Sequence, residues 1–117
     1  MKDNSAIMAK LAYNAIAEKK GEDIRVIDIR EISVIADYFV IATAKNSSQM
    51  EALIDAVEEA LYKAGFGEAD KEGNQRSSWV LLDYKDIIVH VFSKEDRLFY
   101  DLDRIWRDGK PVEPEDL

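Results

Sequence analysis

Two strand-length apolar runs, Ser78 to Leu82 and Ile87 to Phe92, meet across the polar corner Asp83-Tyr84-Lys85-Asp86. Both are rich in β-branched and aromatic residues, a pattern that predicts a β-hairpin at the centre of a sheet. In the second run Ile87, Val89 and Val91 point one way, while Ile88 and Phe92 flank His90 on the other. A strand apolar on both faces needs cover on both sides.

Upstream, Met8, Leu11, Ala12, Ala15 and Ile16 recur at helical spacing between Asn4 and Lys20, with Asp3 or Asn4 as cap and Gly21 as stop. Ile24 to Arg30 alternates imperfectly, Ile24, Val26 and Asp28 against Arg25, Ile27 and Ile29, as in a partly covered strand. Glu31 to Asp37 is a connector, and Tyr38 to Ala44 is nearly free of polar residues, which predicts an interior strand. The clearest helix follows. Ser48 and Glu51 have capping-box spacing, Met50, Leu53, Ile54, Val57 and Leu61 form one stripe, and Gly65 closes the element after Lys63.

The polar run Glu68 to Arg76 predicts an exposed loop that begins with a short strand. Beyond the hairpin, Ser93 and Asp96 open a third helix carrying Leu98, Leu102, Ile105 and Trp106 and ending at Asp108-Gly109. Residues 1–109 are thus expected to form a single α/β domain, and the acidic, proline-bearing stretch 110–117 a loosely held tail. Helix, two strands, helix, hairpin and helix, without internal repeat, imply a mixed β-sheet flanked by helices.

A length of 117 residues suits one core. The absence of cysteine removes disulfides, thiolate zinc sites and cysteine catalysis. Met1 to Lys20 carries Asp3, Lys10, Glu18, Lys19 and Lys20 and no long apolar run, so neither a signal peptide nor a membrane span is expected and the cytoplasm is the expected location. A net charge of −8 opposes the counterion mechanism that drives most nucleic-acid binding. Acidity of this kind serves solubility or attracts a basic protein partner, and composition leaves both open.

Phosphate-cradling glycine motifs are missing, so no nucleotide cofactor is expected. His90 is the only histidine, which rules out a histidine-rich metal site and leaves a Ser-His-Asp triad dependent on one ring between Ile88 and Phe92. A satisfied, semi-buried histidine is the better account. Asp28, Asp37, Asp83 and Asp86 offer a Mg²⁺ carboxylate cluster, against the simpler account that Asp83 and Asp86 serve the turn and Asp28 pairs with Arg25 or Arg30. Trp79 fits either core or contact. Tyr84, at a turn tip beside carboxylates, has the chemistry of an interface anchor.

Taken together, Asp28-Ile29-Arg30-Glu31-Ile32-Ser33, Ala36-Asp37-Tyr38 through Ala44, Ser47-Ser48-Gln49, Trp79 through Tyr84, Asp86 through Phe92, and Phe99-Tyr100-Asp101-Leu102 with Trp106 resemble the ribosomal silencing factor family, RsfS, also called the Iojap family. The resemblance covers nearly the whole chain. It implies a nucleotidyltransferase-like topology without that superfamily's catalytic Gly-Ser and paired aspartates, hence a binding protein rather than an enzyme. It further implies binding to the large ribosomal subunit through its basic protein number fourteen, and steric block of subunit joining when nutrients are scarce. The contact surface implied for this chain is Trp79, Leu81, Asp83, Tyr84 and Asp86, with His90 and Tyr100 as neighbours. The family usually has glycine where this chain has Lys85, which places the turn geometry in question. The alternatives are a residual Mg-dependent nucleotidyltransferase-like enzyme and, for the free protein, a homodimer paired through the exposed hairpin.

Overall fold

A computed structural model describes residues 4–31, 34–73, 79–94 and 109–117. The expected third helix, with Tyr100 and Trp106, lies outside the described residues. Helix α1 spans Asn4–Glu18 and buries Met8, Ala12, Ala15 and Ile16 of the predicted stripe, with Leu11 only partly buried against the core. Strands β1 (Glu22–Asp28) and β2 (Tyr38–Ala44) follow, and every residue of β2 is buried. Helix α2 spans Ser47–Lys63, β3 is Asp70–Glu72, β4 is Trp79–Asp83, β5 is Ile87–Ser93, and β6 is Lys110–Pro111.

Among the described residues the six strands form one sheet in the order β3-β4-β5-β2-β1-β6. The β2/β5 pair is parallel and the other pairs are antiparallel, so the sheet is mixed as expected, with the hairpin strand β5 beside β2 at its centre. Alternation along the strands sorts the core into two layers. Val26, Val40, Ala42, Val80, Leu82, Val89 and Val91 meet α1 and α2 on one face. Ile27, Ile29, Phe39, Ile41, Ile88 and Phe92 form the second cluster on the other face, with Trp79 and Leu81 against it. The burial of β5 from Ile87 through Phe92 bears out the two-sided cover that its sequence demands.

Two details correct the sequence reading and one bears it out. The cap of α2 is Asn46, two residues before Ser48: its extended backbone (φ −157°, ψ 175°) aims the side chain at the Gln49 N–H, which donates to Oδ1 at 2.8 Å. Gln49 Oε1 in turn accepts from Lys45 N at 2.6 Å, so Asn46 and Gln49 do what Ser48 and Glu51 were expected to do. Second, and as expected, the polar stretch after α2 begins with a short strand: β3 is exposed, lies at the sheet's edge and pairs with β4. Third, the expected tail is held: Lys110–Pro111 pairs with Asp28 and Ile27 as β6, and Val112 N donates to Val26 O at 2.8 Å. Proline fits there because an edge strand leaves one row of N–H groups unused.

The other end of α2 follows its sequence. Gly65, at φ +91°, adopts the left-handed conformation, Gly65 N donates to Tyr62 O and Phe66 N to Leu61 O, both at 3.0 Å. That pair of bonds satisfies the last helical carbonyls and turns the chain toward β3.

Candidate functional site

Strand β4 alternates half-exposed Trp79, Leu81 and Asp83 with fully buried Val80 and Leu82. The cause lies in position and pleat: Val80 and Leu82 enter the helix-side core, and the other three stand on the opposite face near the sheet's β3 edge. Cross-strand register sets Trp79 beside Phe92, Leu81 beside His90, and Asp83 beside Ile88. Four of the expected site residues, Trp79, Leu81, Asp83 and His90, therefore share one face.

The Trp79 ring is fixed from beneath. It stacks on Phe92 at a centroid distance of 5.2 Å and an interplanar angle of 20°, and its Nε1 donates to His90 Nδ1 at 3.2 Å. His90, 4% exposed, also meets Phe39 edge to face at 4.7 Å. While Nδ1 accepts this bond the imidazole is neutral, with its proton on Nε2. His90 thus orients Trp79 from within the core, and is fully buried where the sequence predicted a semi-buried ring. A pre-seated aromatic loses little freedom on binding, which suits it as an anchor.

Tyr84 is a correction. Expected at an exposed turn tip, it is 8% exposed and belongs to the helix-side core. Tyr84 N donates to Ile87 O at 3.0 Å, so the ladder continues one residue past Asp83 and alternation sends Tyr84 after Val80 and Leu82 to the far side of the sheet from Trp79. Its hydroxyl is buried without a hydrogen-bond partner, and burial, aided by Glu58 and Glu68, pushes its pKa up to about 12. The phenol is neutral at every physiological pH.

The remaining loop is Lys85 and Asp86, both exposed. Lys85 adopts φ +73°, its N–H donates to Asp83 Oδ1 at 2.8 Å, and Asp86 N donates to Tyr84 O at 2.9 Å. The chain therefore takes the glycine-type turn with a lysine in it. A left-handed conformation costs a side-chain-bearing residue about 1–2 kcal/mol, and added freedom of glycine in the unfolded chain offsets about 0.4–1 kcal/mol of that. Lys85→Gly is expected to stabilise the protein by about 0.5–1 kcal/mol, read as a higher urea midpoint at unchanged slope.

Asp86 O accepts from Asp37 N at 2.8 Å, Asp37 O accepts from Ile29 N at 2.9 Å, and Ser5 Oγ donates to Asp37 Oδ2 at 2.7 Å. Asp37 thereby ties the turn to β1 and to the start of α1. Beside this junction stand Val34, 104% exposed, and Ile35, 56% exposed. The sequence reading placed both in a connector and assigned them no role; the available signal was apolar residues in a short segment outside any strand or helix period.

The four aspartates of the metal alternative do not form one cluster, although Asp37 and Asp86 meet through their backbones. Asp28 pairs across the sheet with Tyr38 on the helix side, whereas Asp83 pairs with Ile88 on the other. Two strands separate them, about 14 Å at the usual spacing. Asp28 instead accepts from Arg30 Nη2 at 2.7 Å, and those guanidinium hydrogen bonds hold its carboxyl below the usual range. Among the described residues no three acidic, histidine or cysteine side chains are grouped to hold a metal ion, and no helix is long and apolar enough to cross a membrane.

Comparison with known proteins assigns this architecture. The ribosomal silencing factor RsfS of Halalkalibacterium halodurans is 34% identical over 108 residues, 92% of each chain. Chloroplastic protein Iojap of Zea mays is 31% identical over 99 residues, 85% of this chain and 43% of the plant protein. A crystal structure of a Chromobacterium violaceum protein superposes with a TM-score of 0.83 at 31% identity, covering 91% of this chain and 87% of the other. The model of the family described as "Ribosomal silencing factor during starvation", RsfS, matches residues 2–117, and the chain belongs to that family.

Proposed function

We propose that this protein is a translation repressor that binds the large ribosomal subunit through its basic protein number fourteen and, by its bulk, prevents the small subunit from joining when nutrients are scarce. Family membership supports a role in ribosome silencing. The observation that carries the contact is the half-exposed stripe Trp79-Leu81-Asp83, an aromatic, an aliphatic and a carboxylate on one face of a rigid strand. Aromatic anchors provide most of the affinity in such interfaces, and a neighbouring acid selects lysine or arginine on the partner. Asp86, exposed at the adjoining turn, adds a second acid.

A chain of net charge −8 is drawn to a basic protein and repelled by the surrounding rRNA, so its docking is oriented before contact. No group-transfer step enters this mechanism; occupancy of the joining face is sufficient. Its test is sedimentation of purified small and large subunits with increasing protein. The expected result is loss of the joined-ribosome peak, with the protein co-migrating with the large subunit. Undiminished joining at saturating protein overturns the proposal.

A further inference from the structure

The Trp79 indole and the His90 imidazole share a hydrogen bond that only one protonation state of the pair permits. An indole nitrogen can only donate, and Trp79 Nε1 donates to His90 Nδ1 at 3.2 Å. That bond needs the lone pair of Nδ1. An imidazolium carries hydrogens on both ring nitrogens, so protonation of His90 sets two N–H donors against each other where one bond stood.

The surroundings leave one way to relieve this conflict. His90 is 4% exposed, edge to face with Phe39 at 4.7 Å and nearly parallel to Phe92, at 10° with a centroid separation of 6.2 Å. Its register partners on β4 and β2 are the apolar Leu81 and Ile41. The charged groups that the described residues bring to this face stand further out. Asp83, diagonal to His90 across the β4/β5 ladder, accepts the Lys85 N–H at Oδ1. Asp70 and Glu72 lie on β3, beyond Asp83 and Leu81, and Arg25 lies on β1, beyond Ile41, where it pairs with Asp23 at 3.3 Å. Aromatic faces attract a cation less than burial penalises it, so the imidazolium is driven toward water. Of the rings Phe39, His90, Phe92 and Trp79, only Trp79 is half-exposed, and it is the one that gives way.

We propose that His90 is the positioning residue of the docking stripe and that its proton is a switch: neutral His90 seats Trp79 for the large subunit, and protonation unseats the ring and loosens the contact. This rests on the ribosomal reading above. His90 is buried, offers a partner almost no surface, and acts through the orientation of Trp79. Affinity is accordingly full while the ring is neutral and is lost as pH falls through its titration. The chain has no other histidine, so that transition belongs to one residue.

Two measurements on the whole protein test the switch, both from about pH 8 to about pH 5, the span in which histidine changes charge. In the free protein, NMR follows the His90 ring and the Trp79 indole N–H; one shared transition is expected, with the indole resonance moving to the position of a solvent-exposed ring. In binding to purified large subunits, wild-type affinity is expected to fall about tenfold more than that of His90→Asn, whose side-chain oxygen accepts the indole bond in place of Nδ1 and takes up no proton in this span. Titrations of the subunit itself are common to both proteins and cancel. Trp79→Ala, with no ring to seat, should follow His90→Asn, and carries the comparison alone if His90→Asn does not fold. A His90 ring that does not titrate within the span, or an indole resonance that ignores its titration, overturns the proposal. Absence of binding at pH 8 overturns the ribosomal reading and this one with it; binding that acid weakens equally in wild type and variants overturns this one alone.

Discussion

Trp79→Ala is expected to weaken binding to the large ribosomal subunit about thirtyfold, equivalent to about 2 kcal/mol, while the protein remains folded. The expectation rests on how the ring is held. Trp79 is half-exposed, yet stacked on Phe92 and hydrogen-bonded to His90, so its outer surface is offered to a partner in one orientation. Removing it deletes the largest apolar surface of the stripe and leaves Leu81 and Asp83 in place. The substitution also costs stability, because the stacked pair contributes about 0.5–1.5 kcal/mol beyond area burial. Two measurements therefore belong together: binding of labelled protein to purified large subunits, and urea unfolding of the free protein. Trp79→Phe separates the contributions further, since it keeps a ring over Phe92 and loses only the bond to His90 Nδ1. Wild-type affinity in Trp79→Ala would remove Trp79 from the interface.

Much of this geometry was legible before any coordinates. Stripe positions Met50 to Leu61, the unbroken apolarity of Tyr38 to Ala44, and the two runs around Asp83 to Asp86 fixed α2, β2 and the β4/β5 hairpin, because burial acts on those periods directly. Where two local solutions had the same spacing, sequence could not choose. Asn46 with Gln49 and Ser48 with Glu51 both fit a cap, and the extended backbone of Asn46 decided between them. Tyr84 was misplaced by ending the strand at the first turn-like residue. Counting Val80, Leu82, Tyr84 by twos would have sent it to the helix side, at the expense of reading Asp83 as part of the ladder. Strand β6 carried no local signal, since two residues including a proline pair only because β1 presents a free edge there.

That division between surface and support yields the second large effect. Phe92 is fully buried beneath Trp79, and Phe92→Ala is expected to destabilise the protein by about 3–5 kcal/mol, a large share of the roughly 5–15 kcal/mol typical of a folded domain. The cost has two sources: lost transfer energy of the ring, and a cavity that flanking β-strand side chains Phe39, Ile41 and Ile88 cannot close without leaving their register. Urea unfolding should show a much lower midpoint at unchanged slope. In the Phe92→Ala, Trp79→Ala double variant the two losses should fall short of additivity by about 0.5–1.5 kcal/mol, the coupling expected of stacked rings. Full additivity would mean that Trp79 is not seated on Phe92, and that the ring reaches its partner without help from the core. A loss below about 1 kcal/mol in Phe92→Ala alone would show that this face of the sheet collapses freely around a missing ring. Subunit binding by Phe92→Ala, measured below its unfolding transition, should fall less than in Trp79→Ala, because the anchor is still present and has lost only its seat.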